Sequence, residues 1–174
     1  MTIVLIGYRG CGKTSVGRLL AARLGRPFVD TDTLIEQDAG TTIREIFATQ
    51  GEAGFRDIES RIIQEVAQAD GQIVSLGGGA VLRDANIDCF PAGRVFVWLT
   101  ASARVLWTRI SADTSTQATR PDLTTTGGLA EVQKLLAIRE PIYRRVADIE
   151  INTEDVTTEQ VVERILTALP AGSI

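Results

Sequence analysis

Gly7-Tyr8-Arg9-Gly10-Cys11-Gly12-Lys13-Thr14 fits the pattern G-x-x-x-x-G-K-[ST], the phosphate-binding P-loop. The flanks agree with it. Thr2 to Ile6 is a short apolar, β-branched run that reads as a buried strand, and Ser15 to Leu24 carries Val16, Leu19, Leu20 and Leu24 at helical spacing. The order is therefore strand, glycine loop, helix. Glycines let the backbone turn its N–H groups inward around a phosphate, and the following helix adds the positive end of its dipole. Gly10, Cys11, Gly12, Lys13, Thr14 and Ser15 are accordingly expected to hold a nucleotide's phosphates. Lys13 would reach the β- and γ-phosphates as a point charge, and the Thr14 hydroxyl would be a ligand of Mg²⁺. A glycine-rich turn without a ligand is the competing reading, and the pattern, the flanks and the N-terminal position together weigh against it.

The rest of the chain limits what such a loop serves. A length of 174 residues suits one domain, 1–174, with a sizeable core, and 44% apolar and 23% charged residues are ordinary for a globular protein. No apolar run has the length of a membrane span, and the N-terminus reads as a core strand, not a signal peptide, so the expected place is the cytoplasm. A net charge of −4 argues against a general nucleic-acid surface. The chain has no histidine, so a general base must be Asp, Glu or another group. Cys11 and Cys89 lie far apart in sequence and read as free thiols.

Taken in order, Arg26 to Asp30 reads as a second strand ending in acid. Asp30-Thr31-Asp32 then stands at its C-terminal end, where open parallel sheets gather ligands. One carboxylate would face a Mg²⁺ shell and the other a substrate hydroxyl; helix capping is the bland alternative. Thr42-Ile43-Arg44-Glu45 has the form of a capping box, and a longer helix is expected over about 52–69, with Phe55, Ile58, Ile62, Val66 and Ala69 inward. On it, Arg56 and Glu59 are three apart and can pair, which would aim an arginine at an anionic substrate. Gln72 to Leu76 reads as a strand followed by Gly77-Gly78-Gly79, a run that suits close approach of the backbone to a ligand. That strand does not end in Asp, which leaves Asp30 as the metal candidate.

Asp84 to Phe90 reads as helical, Arg94 to Leu99 as a strand, and Ala103 to about Ile110 as a helix capped by Ser102. Ser111 to Thr126 is polar, lacks apolar periodicity and contains Arg120-Pro121. It is expected to be a lid, about 111–126, that closes an arginine over the phosphates. Gly128 to Val146 reads as a long helix bent or divided by Pro141, with Leu129, Val132, Leu135, Leu136 and Ile142 inward. A last strand at 148–151 and a helix opening at Thr157 or Thr158 complete an α/β, three-layer P-loop domain with a five-stranded parallel sheet.

Together these residues resemble the shikimate kinases. The resemblance covers nearly the whole chain and rests on the P-loop, Asp30-Thr31-Asp32, Gly51-Glu52-x-x-Phe55-Arg56-x-x-Glu59, Gly77-Gly78-Gly79, Arg120-Pro121-x-Leu123 and Arg139-x-Pro141-x-Tyr143. It implies strand order 2-3-1-4-5, ATP and shikimate as substrates and Mg²⁺ as cofactor; the expected state is a monomer that, by its charge and the length of its apolar runs, binds neither nucleic acid nor membrane. It implies that Lys13, Asp32 and Arg120 are catalytic and that Asp32 holds the shikimate hydroxyls. By the same resemblance Arg56 and Arg139 grip the shikimate carboxylate, and the backbone of Gly77, Gly78 and Gly79 lies against shikimate. Arg120 and Arg109 would contact ATP, the latter at the adenine, and Thr14 and Asp30 would stand at the metal. The substrate-binding helical region would span about 31–62. Tyr8-Arg9 departs from the small residues of the family pattern, and the resemblance assigns it no role. The competing readings are a related kinase of another small hydroxy acid such as gluconate, or of a nucleoside monophosphate, and a nucleotide-dependent binding module. Asn152-Thr153-Glu154-Asp155 lacks the lysine of a guanine-reading N-K-x-D motif.

Overall fold

The computed structural model describes residues 1–113 and 127–170. Its strands are β1 (Ile3–Ile6), β2 (Phe28–Asp30), β3 (Ile73–Ser75), β4 (Val95–Thr100) and β5 (Ile149–Asn152). They form one five-stranded sheet in the order β2-β3-β1-β4-β5, which is the order that the resemblance implies. Every pairing is parallel, with Ile3 in register with both Ile73 and Val95. The helices are α1 (Lys13–Leu24), α2 (Thr31–Ala39), α3 (Ile43–Val66), α4 (Ala85–Asp88), α5 (Ala103–Ala112), α6 (Gly128–Val146) and α7 (Thr158–Ala168).

The central strand explains the layering. Ile3, Val4, Leu5 and Ile6 are all buried, because a parallel strand flanked on both edges has both faces covered. Ile3 and Leu5 join a core with Val16 and Leu20 of α1, Leu106 and Ile110 of α5, and Val161 and Ile165 of α7. Val4 and Ile6 join the opposite core, with Ile35 of α2, and Ile46, Phe55 and Ile63 of α3. Helix α6 serves both faces: Val132 belongs to the first core and Tyr143 to the second.

Several boundaries differ from the sequence reading. The capping box at Thr42 and Glu45 is present, but α3 carries a break at Gly51 (φ 71°, ψ −176°) between its two parts and ends at Val66. Ala69 lies beyond that end and is exposed, whereas Ile63, one step round the helix from Ile62, is fully buried. Helix α4 is only the stretch Ala85–Asp88. Ser111 and Ala112 belong to α5, so the stretch expected to be a lid starts later than position 111; the remainder of it, 114–126, lies outside the described residues. Pro141 does not divide α6. Pro141 and Ala137, whose carbonyl loses its helical partner there, are both exposed, so water can replace the missing bond. The buried residues of α6 are Glu131, Val132, Arg139 and Tyr143, a more polar set than the apolar spacing indicates. Among the described residues no helix is long and apolar enough to cross a membrane.

The contact of α1 with β2 is tight enough to test. A methyl group at Gly17 would meet Phe28 Cε2 at 2.3 Å. Gly17→Ala is therefore expected to destabilise the protein by about 1–2 kcal/mol, overpacking outweighing the better helix propensity of alanine. A lowered urea midpoint with an unchanged slope would show it.

Candidate active site

Two adjoining cavities open at the carboxyl ends of β1, β2 and β3. Strand β1 leads into the P-loop and then through α1 to β2, two places to one side, while β3 leads over β1 to β4 on the other side. Neighbouring strands whose connections leave in opposite directions create a crevice between them, the usual seat of a ligand in an open α/β sheet. Here it holds the P-loop and the triple glycine side by side: a Cβ on Gly78 would lie 3.4 Å from the Gly7 carbonyl oxygen and 3.5 Å from the Arg9 nitrogen.

The first cavity, about 430 Å³, is lined by Gly10, Gly12, Lys13, Thr14 and Ser15 together with Asp30, Asp32 and Arg109. Gly12, the N-cap of α1, has φ 97°, a left-handed conformation that glycine adopts without strain. Lys13 Nζ donates to the carbonyls of Gly7 at 2.8 Å and Tyr8 at 3.2 Å, so its charge sits at the loop's mouth. Cys11 is buried, with its Sγ 3.7 Å from Lys13 Nζ, and is not among the residues that line the cavity. Thr14 Oγ1 donates to Asp30 Oδ2 at 2.9 Å, while Asp30 Oδ1 caps α2 through the Asp32 N–H at 3.1 Å. The capping and metal readings of Asp30 are thus compatible, one per oxygen. Arg109 is fixed by Thr153, donating to its Oγ1 at 2.9 Å and its carbonyl at 2.7 Å.

The second cavity is lined by Asp32, Arg56, Glu59, the three glycines and Arg139. Arg56 and Arg139, 8% and 7% exposed, are deeply set for arginines. Arg56 donates to Glu59 Oε2 at 2.5 Å and lies 5.1 Å from the centre of the Phe55 ring. Arg139 lies 5.5 Å from the centre of the Tyr8 ring. Burial pushes Glu59 above the usual carboxylate range against the pull of Arg56, and its Oε1 has no hydrogen-bond partner among the described residues. That oxygen and Asp32 Oδ1 converge on Gly77, where an added Cβ would meet them at 2.9 and 2.8 Å. At Gly79 an added Cβ would meet the Arg56 guanidinium at 2.3 to 2.7 Å. The glycines leave room for these three side chains.

Sequence reasoning missed four residues here. Thr31, fully buried, accepts from the Gly77 N–H at 3.2 Å and donates to the Ser75 carbonyl at 3.2 Å, tying the start of α2 to the glycine run. Tyr143 donates its hydroxyl to the Gly78 carbonyl, and burial raises its pKa well above the phenol range, so it stays a donor. Tyr8 is also buried, with its pKa raised by burial, under Arg139. Thr153 holds Arg109 in place. Only the four-residue spacing of Arg139 and Tyr143, which puts both on one helix face, could have marked any of them in advance. Arg120 lies outside the described residues.

The family model described as shikimate kinase matches residues 9–170. A shikimate kinase of Rhodopirellula baltica is 41% identical over 170 residues, spanning 98% of this chain and 91% of the relative. That of Symbiobacterium thermophilum is 43% identical over 97% of this chain and 96% of the relative. A solved shikimate kinase from Acinetobacter baumannii, in complex with shikimate, superposes with a TM-score of 0.88 at 34% identity, covering 95% of this chain and 90% of that one.

The crowding at Gly79 yields a prediction. Gly79→Ala should push the Arg56 guanidinium off Glu59 and weaken binding of a carboxylate-bearing ligand about 10-fold or more, the scale of one charged hydrogen bond. Nucleotide affinity should stay within about 2-fold. Calorimetric titration of each ligand separates the two.

Proposed function

The chain belongs to the shikimate kinase family, and we propose that its two cavities carry the two substrates of that reaction to a common wall. The enzyme transfers the γ-phosphoryl group of ATP to the 3-hydroxyl of shikimate, giving shikimate 3-phosphate and ADP. The observation that carries the residue assignment is that Asp32 lines both cavities. ATP would lie along the P-loop with its terminal phosphate toward Asp32, and Arg109 would flank the adenine end. Shikimate would lie in the second cavity with its carboxylate between Arg56 and Arg139. A planar guanidinium gives a carboxylate two parallel hydrogen bonds, and two of them fix the ring's orientation as well as its charge.

In that placement Asp32 orients the attacking hydroxyl and takes up its proton as the bond to phosphorus forms. Phosphoryl transfer has a loose transition state, so holding the oxygen in line contributes more than strong base catalysis. Lys13 offsets charge on the β- and γ-phosphates. Tyr143 and Thr31 hold the glycine run against the acceptor, and the Glu59 carboxylate keeps Arg56 aimed. Arg120, from the stretch outside the described residues, would close over the phosphates.

The residues fit Mg²⁺ as cofactor. Thr14 Oγ1 and Asp30 Oδ2 are hard oxygen donors at the mouth of the phosphate loop, 2.9 Å apart. Among the described residues there is no cluster of three or more His, Cys, Asp or Glu that could hold a metal. A site of few protein oxygens suits Mg²⁺, which takes the rest of its shell from water and phosphate. When bound it would neutralise charge shared by the β- and γ-phosphates. We infer further that the enzyme acts as a monomer in the cytoplasm, as a single domain with residues 31–62 as its acceptor-binding part; the free thiols Cys11 and Cys89 suit that compartment.

A coupled ADP assay with shikimate, gluconate and nucleoside monophosphates tests the acceptor directly. Turnover should occur with shikimate, collapse when excess chelator removes Mg²⁺, and stay at background with the others. Turnover with gluconate or a nucleotide and none with shikimate would reject the assignment. Arg139→Ala should raise the KM for shikimate about 10- to 100-fold through the loss of a buried charged hydrogen bond. The KM for ATP should remain within about 3-fold.

A further inference from the structure

Arg9 occupies the third position of the P-loop, and neither its motif nor the family resemblance gives it a role. The structure places it where the two cavities meet: like Asp32, it lines both. Its backbone nitrogen is held against the glycine run, 3.5 Å from the position of a Gly78 Cβ. The residue is half-buried.

The neighbouring cations are already engaged. Lys13 donates to the Gly7 and Tyr8 carbonyls, Arg56 to Glu59 and Glu52, and Arg109 to Thr153, while Arg139 lies over Tyr8. Arg9 makes no hydrogen bond and no ion pair among the described residues. A solvated surface arginine would account for the missing partners, but not for half-burial at the joint wall of two cavities. A partly buried arginine there, with its donors uncommitted, gains nothing from the protein to offset the hydration that burial removes. An anion carrying several oxygens supplies what it lacks.

We propose that Arg9 is a catalytic cation whose guanidinium contacts the phosphoryl group as it passes between the two cavities. This rests on the assignment of ATP and shikimate to them. The carboxylate of shikimate already has Arg56 and Arg139, neither of which lines the nucleotide cavity. In the transfer, the shikimate 3-oxygen forms a bond to Pγ while the bond from Pγ to the β,γ-bridging oxygen breaks. The breaking pair stays on that oxygen, which leaves as part of ADP, and the hydroxyl proton goes to the Asp32 carboxylate and then to water. Negative charge in the loose transition state spreads over the three equatorial oxygens and the leaving oxygen. A cation at the joint of the cavities binds that distribution better than it binds either resting substrate, which lowers the barrier without tightening the ground state.

Arg9→Met keeps the stem and removes the charge; Arg9→Lys keeps a charge without the fork. Arg9→Met should lower kcat about 10²-fold, the loss found for one pre-positioned donor at a charge-developing centre. Each KM should move less than about 3-fold, since the interaction is made in the transition state. The complex of ADP, aluminium fluoride and shikimate, which mimics the planar phosphoryl group, should weaken in step with kcat. Arg9→Lys should recover part of both losses, with the parental urea midpoint. Parental kcat in Arg9→Met would overturn the proposal. So would a loss confined to the KM for shikimate with the aluminium fluoride complex as tight as before, which would make Arg9 a carboxylate clamp. Should Arg9→Met not fold, the same comparison on Arg9→Lys decides, a parental kcat again overturning it. No ADP release by the parent protein with shikimate would overturn the acceptor assignment itself, before any variant is compared.

Discussion

The volume beside Gly77, Gly78 and Gly79 is the constraint on which the rest of the site depends. It is filled by other residues' functional groups: the Asp32 and Glu59 carboxylates at Gly77, the Arg56 guanidinium at Gly79 and the P-loop backbone at Gly78. At Gly77 and Gly79 any side chain larger than hydrogen would have to displace one of them, while at Gly78 the first carbon would already touch the P-loop backbone. Because those groups are drawn from α2, α3 and the P-loop, the glycine run is the surface against which three separate elements are set to one another. Thr31 and Tyr143 pin it from two sides, through the Gly77 N–H and the Gly78 carbonyl.

The electrostatics follow from that packing. Arg56 and Glu59 form an ion pair at 2.5 Å in a nearly dry place, where loss of hydration offsets much of their attraction. Such a pair contributes little net stability, and its value is positional: it holds a guanidinium in one orientation at the wall of the acceptor cavity. The unpartnered Glu59 Oε1 is a cost accepted at that site. The same division of labour recurs at Arg109, which Thr153 holds by two bonds, and at Lys13, which the loop carbonyls hold by two. These three cations at the walls of the two cavities are held in place by protein partners, and a group held in that way needs little reorganisation when charge develops beside it.

Much of this could be read along the chain. The P-loop with its strand and helix, the capping box at Thr42, the N-cap at Thr157 and the spacing of Arg56 and Glu59 are local patterns, and the structure contains each one. The differences lie where a residue's surroundings, and not its place in a periodic pattern, decide the outcome. Pro141 sits within α6 because the carbonyl that it leaves unpaired, that of Ala137, faces water. Ala69 fits the helical period of α3 but lies past the helix end, in the turn before β3. Tyr8, Thr31 and Thr153 gave no sign of their partners, and Tyr143 only its spacing from Arg139, since a hydroxyl acquires its role from the partner that folding brings to it.

The sequence by itself determined the strand–loop–helix unit, the acidic end of the second strand and the supply of arginines, because these depend on periodicity and residue chemistry within a few positions. Tertiary structure alone decided which of those groups share a wall. Gly7, Asp32 and Gly78 come from three segments and meet because the connections after β1 and β3 leave the sheet in opposite directions. Whether Arg9 is an idle surface residue or stands between two cavities is of the same kind: a position in a motif carries a side chain's charge, and only the packing around it gives that charge something to face.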